Sequence, residues 1–196
     1  MSTDKETLNV YDAKAEEYAN LVVDTQDTQL TDFMAKLPSG ARVLDLGCGP
    51  GAAAGKMAKA GMTVDATDAS PGMVELAQKQ PGVTVWQATF DEITGDAIYD
   101  GIWANFSLLH AERSDMPRHL AALRTALKPE GLFHIGMKSG TGAKRDGIGR
   151  YYTFYTVEEL KGLVSTAGFD PIATQTGEEV GLAGTKDPWV TILCRG

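Results

Sequence analysis

Val43-Leu44-Asp45-Leu46-Gly47-Cys48-Gly49-Pro50-Gly51 is the stretch whose reading decides the fold. Apolar residues and one acid run into three alternate glycines, and Ala52-Ala53-Ala54 follows. The run predicts a buried strand, a tight glycine turn and the start of a helix. That is the first unit of a doubly wound α/β fold, in which ligands sit at the carboxyl ends of the strands. Gly47 and Gly49 let the backbone turn sharply and let a ligand come close. The spacing is G-x-G-x-G, not the G-x-G-x-x-G that delivers a pyrophosphate to a helix N-terminus. Asp45, just before the turn, would repel a pyrophosphate and suits a ligand carrying an ammonium group.

The run Asp45-Leu46-Gly47-Cys48-Gly49-Pro50-Gly51 resembles the first motif of the class I S-adenosylmethionine-dependent methyltransferases. That cofactor has an ammonium, a sulfonium and no phosphate. The resemblance extends from Tyr11 to Arg195. It implies a Rossmann-like, mostly parallel seven-stranded sheet with helices on both faces and an antiparallel last strand. Periodicity alone gives alternating strands and helices, hence an α/β fold. The expected organisation is one domain over 1–196, with a helical lid segment over 1–40 and the core over 41–196.

Working outward from the turn, a helix is expected to about Ala60, then a strand over Met62–Thr67 closed by Asp68. Asp68 lies roughly 20 residues beyond the turn, where an acid meets ribose hydroxyls. Its other reading is an N-cap, although Ser70 is the better cap because Pro71 suits the first helical position. After the helix Pro71–Lys79 and a strand Val83–Gln87 comes Ala88-Thr89-Phe90-Asp91. The resembling family often has an acid on the adenine here, but this chain has Thr89. The adenine contact therefore falls to the Thr89 hydroxyl, to the Phe90 ring, or to Asp91 if the loop is shifted. The resemblance also places Tyr18, Cys48, Ala69, Met73 and Asn105 around the cofactor.

The fourth strand, Tyr99–Ala104, ends in Asn105-Phe106-Ser107-Leu108-Leu109-His110. In the resembling fold this end borders the transferring methyl. His110 is a candidate base there, its alternative being a histidine packed beside the next helix. His119 and His134 read as structural or exposed. A helix over Ser114–Leu127 and a strand over Leu132–Met137 follow.

Lys138–Arg150 reads as a structureless loop with four glycines and a local excess of Lys138, Lys144, Arg145 and Arg150. It is either a mobile lid that meets an anionic substrate or a solvated loop. Tyr151–Tyr155 comes next, with Tyr152 and Phe154 on one face. Thr156 and Glu159 form a capping box for the helix that ends at Gly168. Strands over Phe169–Thr174 and Pro188–Cys194 flank an expected loop, Gln175–Asp187. Ahead of the core, Leu8, Tyr11, Ala15, Tyr18 and Ala19 make one helical stripe and Leu30, Phe33, Met34 and Leu37 a second. Tyr11 and Tyr18 are the inward residues of the lid or plain packing residues. Tyr11, His110 and Tyr152 are the candidate catalytic groups.

The chain has 196 residues, 43% hydrophobic, enough for one substantial core. Its net charge is −8, of which −6 falls within the first 32 residues. Such an acidic chain is a poor nucleic-acid ligand, because affinity for phosphate backbones rests on Lys and Arg. Apolar runs are too short for a membrane span, and Met1–Glu6 does not read as a secretory signal. Cys48 and Cys194 have no metal-ligand spacing, and a cytoplasmic, thiol-reducing setting is expected. Three functions are in play: a methyltransferase acting on a small molecule, an anionic one where the basic loop meets it; a tRNA methyltransferase, favoured by the tyrosine-rich run; and a cofactor-binding protein without transfer.

Overall fold

The computed structural model describes residues 4–22, 28–181 and 183–196. Asp24 and Asp27 of the acidic start lie outside them, as do Met1 to Thr3. Three helices come first: α1 (Lys5–Ala13), α2 (Ala15–Val22) and α3 (Thr28–Ala35). The stripe of Leu8, Tyr11, Ala15, Tyr18 and Ala19, expected as one helix, is thus two. Lys14 leaves helical geometry at φ −116°, and its N–H closes α1 on the Val10 carbonyl. Asp4 caps α1 by accepting the Thr7 N–H at 2.8 Å.

The core then alternates: β1 (Arg42–Leu46), α4 (Ala52–Lys59), β2 (Thr63–Asp68), α5 (Pro71–Ala77), β3 (Val83–Gln87) and β4 (Tyr99–Asn105). It continues with α6 (Met116–Ala126) and β5 (Leu127–Lys138). Next come β6 (Ala143–Arg145), β7 (Tyr151–Thr153) and α7 (Val157–Thr166). The long strands β8 (Asp170–Val180) and β9 (Lys186–Arg195) close the chain. The seven-stranded sheet has the order β3-β2-β1-β4-β5-β9-β8. β1 to β5 pair in parallel, and β9 runs antiparallel to both β5 and β8. The order reverses at β1 and β4, and the crevice outside their carboxyl ends is the switch point of the fold.

Alternation along the strands divides the core into two layers. Leu44, Leu46, Ile102, Ala104, Phe133 and Ile135 pack with Leu120, Leu123, Leu160 and Val164 on one face. Val43, Trp103 and Leu132 pack with Leu30, Phe33, Ala54 and Met57 on the other. His134 stacks on Trp103 at 3.8 Å between ring centres, and both it and His119 are buried. Burial holds His134 neutral, with its pKa lowered to about 3.

Two segments expected as loops are ordered. Within Lys138–Arg150, β6 pairs antiparallel with β7, matching Lys144 to Tyr152 and Arg145 to Tyr151. The stretch Gln175–Asp187 is largely strand, because β8 runs on to Val180 and β9 begins at Lys186. Both escape a hydrophobic pattern for one reason. A hairpin or edge strand with a wet face gains its order from backbone pairing, and its side chains carry little apolar signal. Gly177 in β8 leaves room for Trp189 of β9; a Cβ there would stand 2.4 Å from the indole.

Candidate active site

A cleft of about 990 Å³ opens at the carboxyl ends of β1, β2 and β4 beneath α1 and α2. Thirteen of the fourteen residues expected around the site line it: Tyr11, Tyr18, Asp45, Gly47, Cys48, Gly49, Asp68, Ala69, Met73, Phe90, Asn105, His110 and Tyr152. Thr89 does not. Its hydroxyl donates to Glu92 at 2.8 Å, and Glu92 also accepts the Thr89 N–H at 2.8 Å. This capping box for the short turn Phe90–Glu92 turns Thr89 away from the cleft and leaves Ala88 and Phe90 lining it. Asp91 is equally committed, in an ion pair with Arg118.

The glycine turn is pinned from β2, whose Thr67 carbonyl accepts the N–H groups of Gly47 at 2.8 Å and Cys48 at 2.9 Å. Gly47 has φ +68°, and a Cβ on it would lie 2.3 Å from that of Ser107, so only glycine fits. Tyr18 lies over the turn, its ring 3.6 Å from where a Gly49 Cβ would stand. Asp45 is 3% exposed and accepts the Ala54 N–H from the first turn of α4 at 3.1 Å. Burial still dominates and raises its pKa to about 7. Asp68 accepts from Gly49 N–H and Ser70 N–H, each at 2.9 Å, which fixes its carboxylate across the turn. Its pKa is raised as well, first by burial. Ser70 caps α5 through the Met73 N–H at 3.2 Å, so Asp68 is not the cap. Neither Asp45 nor Asp68 has a cationic partner among the described residues.

The other end of the cleft is made by α1, the end of β4 and β7. Tyr11, His110 and Tyr152 cluster there, with His110 ring centres 5.3 Å from Tyr11 and 4.8 Å from Tyr152. His110 Nδ1 meets the Tyr151 carbonyl at 2.7 Å, and its Nε2 meets the Tyr11 hydroxyl at 2.8 Å. Burial lowers the His110 pKa to about 4, and Arg150 lowers it further against the bond to Tyr151. Asn105 accepts from His134 Nε2 at 3.2 Å. Phe106 beside it has φ +54°, a backbone conformation that costs energy away from glycine.

Sequence reasoning missed Asp12 and placed Arg150 only in the basic loop. Arg150, 3% exposed, lines the cleft and donates to the Tyr11 hydroxyl at 3.1 Å. Asp12 of α1 accepts from the Ser70 hydroxyl and, at 3.1 Å, from the Gly72 N–H, docking α1 on the start of α5. Their signal lay in helical and hairpin contacts far apart in the chain. Three of the four cations of the expected positive patch are paired, and Lys144 lies over the Phe154 ring. Arg145 pairs with Asp4 and Glu6, Arg150 with Asp146, and Lys138 with Asp187.

Residues 43–131 match the model of a family described as "Methyltransferase domain". A ubiquinone biosynthesis O-methyltransferase of Cereibacter sphaeroides is 28% identical over 162 residues, which cover 72% of this chain and 65% of that protein. The chain thus spans just under two thirds of that relative's length. Among solved structures, a Burkholderia thailandensis 1,6-didemethyltoxoflavin-N1-methyltransferase, with bound 1,6-didemethyltoxoflavin and S-adenosylhomocysteine, superposes at a TM-score of 0.80. It is 24% identical, with 97% of this chain and 87% of that one covered. The cyclase SpnF superposes at 0.75 and 18% identity over 100% of this chain and 97% of its own. Residues 43–131 thus carry a methyltransferase domain, and the chain has the Rossmann-like fold of these solved S-adenosylmethionine-dependent methyltransferases. Among the described residues no helix is long and apolar enough to cross a membrane.

Proposed function

We propose that the chain binds S-adenosylmethionine in this cleft and methylates a small-molecule acceptor held at the His110 end. One observation carries the reading. Two carboxylates, the buried Asp45 and the half-buried Asp68, flank the glycine turn and make no ion pair with a cationic side chain among the described residues. Buried charge of one sign calls for a ligand that is cationic and rich in donors. Asp45 would take the ammonium of the amino acid tail, and Asp68, with both oxygens already aligned, the ribose hydroxyls. The backbone of Gly47, Cys48 and Gly49 would lie along the tail. Tyr18, Ala69, Met73 and Phe90 would flank the adenosyl group, and Asn105 the methyl end. Residues 1–40 would cover the 41–196 core as a lid, making one domain.

The cofactor supplies an activated methyl group on a good leaving group. What the chain adds is position, an effect that lowers a barrier by roughly 7–11 kcal/mol when two reactants are held for in-line attack. Tyr11, His110 and Tyr152 would line the acceptor. A small acceptor fits a chain whose charge opposes nucleic acid. The O-methyltransferase relatives support a hydroxyl or a comparable group.

Incubation of the protein with methyl-labelled S-adenosylmethionine and a panel of phenols, heteroaromatic N–H compounds and cell extract tests this. Label on a low-mass compound is expected. Label on tRNA alone, or binding without transfer to any component, would replace it with one of the competing functions.

A further inference from the structure

Tyr11 sits in a polar chain whose direction is fixed at both ends. The Tyr151 carbonyl can only accept, so His110 Nδ1 carries the hydrogen of the neutral imidazole and Nε2 is bare. Nε2 must then accept, and the Tyr11 hydroxyl donates to it at 2.8 Å. At the same phenolic oxygen, Arg150 Nη1 donates at 3.1 Å. Arg150 has no freedom to turn away, because Asp146 holds its Nε at 2.9 Å and its Nη2 at 2.8 Å. With its hydrogen committed to His110 and one lone pair to Arg150, Tyr11 has a lone pair left. Tyr152 couples electrostatically to this oxygen.

We infer that the acceptor site is built for a molecule that enters protonated, as an acidic O–H or N–H, and that Tyr11 takes its proton while passing its own to His110. This rests on the methyl-transfer reading of the same cleft and names its substrate class: phenols, enols and heteroaromatic N–H compounds, not preformed anions. An anion would face an oxygen lone pair and find Lys138 and Arg150 already paired with Asp187 and Asp146. In the step, the acceptor's O–H or N–H bond breaks and its proton bonds to Tyr11 Oη. The Tyr11 phenolic proton moves to His110 Nε2. The freed electron pair on the acceptor bonds the methyl carbon, and the carbon–sulfur pair stays on sulfur. One positive charge leaves the sulfonium and one arrives on the imidazole, so the enclosed charge is unchanged and no net ion is desolvated. The proton leaves His110 for water when product departs.

The relay is assembled by α1. Tyr11 reaches His110 only while α1 is docked on the β6–β7 hairpin, where the Tyr151 N–H donates to Thr7 Oγ1 at 2.8 Å and Arg145 holds Asp4 at 2.7 Å. The helix that shuts the cleft is therefore the helix that brings the proton acceptor.

A nitrocatechol is a direct probe, because its colour reports whether its hydroxyl is ionised. The protein is first loaded with S-adenosylhomocysteine, with binding read by calorimetry in the same sample, and the nitrocatechol is then titrated at several pH values. Uptake of the protonated form is expected, with the bound probe's pKa raised by a unit or more, a tenfold preference by the usual conversion. Tyr11→Phe and His110→Asn should each abolish that shift. With S-adenosylmethionine in place of the thioether, both variants should lower kcat by about 100-fold or more while KM moves less than threefold. Preferred binding of the ionised probe, no binding of the probe to the loaded protein, or full turnover in Tyr11→Phe would each overturn the inference. Failure of S-adenosylhomocysteine to bind would instead strike the methyltransferase reading itself.

Discussion

The two ends of the cleft are built in opposite ways. The glycine-turn end is made of strand ends, backbone N–H groups and two carboxylates, one buried and one half-buried, that find no cation among the described residues. The His110 end is made of side chains from three separate elements, and its charges are paired among themselves. One end is a rigid cradle with a charge deficit; the other is an aromatic chamber, neutral overall, completed by a helix. The difference teaches where specificity resides. On the proposed reading, the deficit would select a cationic ligand, whereas the neutral, directed polar chain would select on proton content once α1 is docked.

The contrast can be broken at the rigid end first. Gly47→Val forces a side chain into Ser107 at a backbone φ of +68°, so thermal denaturation should show a loss of a few kcal/mol. Cofactor affinity should go with it; a stable variant that binds normally would mean the turn is not the cradle. The next largest effect is on pH. Asp45 titrates near 7 in the free cleft because burial disfavours its charge, and an ammonium beside it would lower that pKa. Binding near pH 7 should then release a proton, and affinity should fall as pH drops through 7, by at most about tenfold per unit. Calorimetry in buffers of different ionisation heat reads the proton, and zero release would remove Asp45 from the ammonium. For the free protein the sign is reversed. Folding raises this pKa, so Asp45 favours the folded state on the acid side and that contribution is lost as pH rises towards 7.

The lid end should respond separately. Arg145→Ala removes the exposed contacts to Asp4 and Glu6 and should raise the acceptor KM a few-fold while sparing S-adenosylhomocysteine binding. Equal losses of both ligands would erase the distinction between the ends. Thr89→Val should be the mildest change, within about twofold in cofactor affinity, since its hydroxyl serves Glu92 outside the cleft. A large loss would return Thr89 to the adenine.

The same division explains what the sequence revealed. Asp45, Gly47, Gly49 and Asp68 are local: strand, turn and acid fall within one β-α-β unit, where periodicity and glycine spacing speak directly. His110 and Asn105 were legible because the end of β4 follows from the strand pattern. The hairpin β6–β7, the length of β8 and β9, and the roles of Asp12 and Arg150 were hidden. Those elements are ordered by pairing and by contacts such as Arg150 to Tyr11, 139 positions apart, which leave no periodic trace. The basic patch misled for that reason, since each of the cations Lys138, Arg145 and Arg150 met an acid that the chain order did not reveal.

Calorimetric titration of S-adenosylhomocysteine into the protein and into Asp68→Ala tests the central claim most directly. The account predicts clear binding to the former and a loss of about 100-fold or more in the variant, because two charge-assisted anchors of the turn and the ribose acceptor vanish together. Thermal denaturation of the variant should remain cooperative. Unchanged affinity in a folded Asp68→Ala protein would contradict the placement of the methyl donor in this cleft.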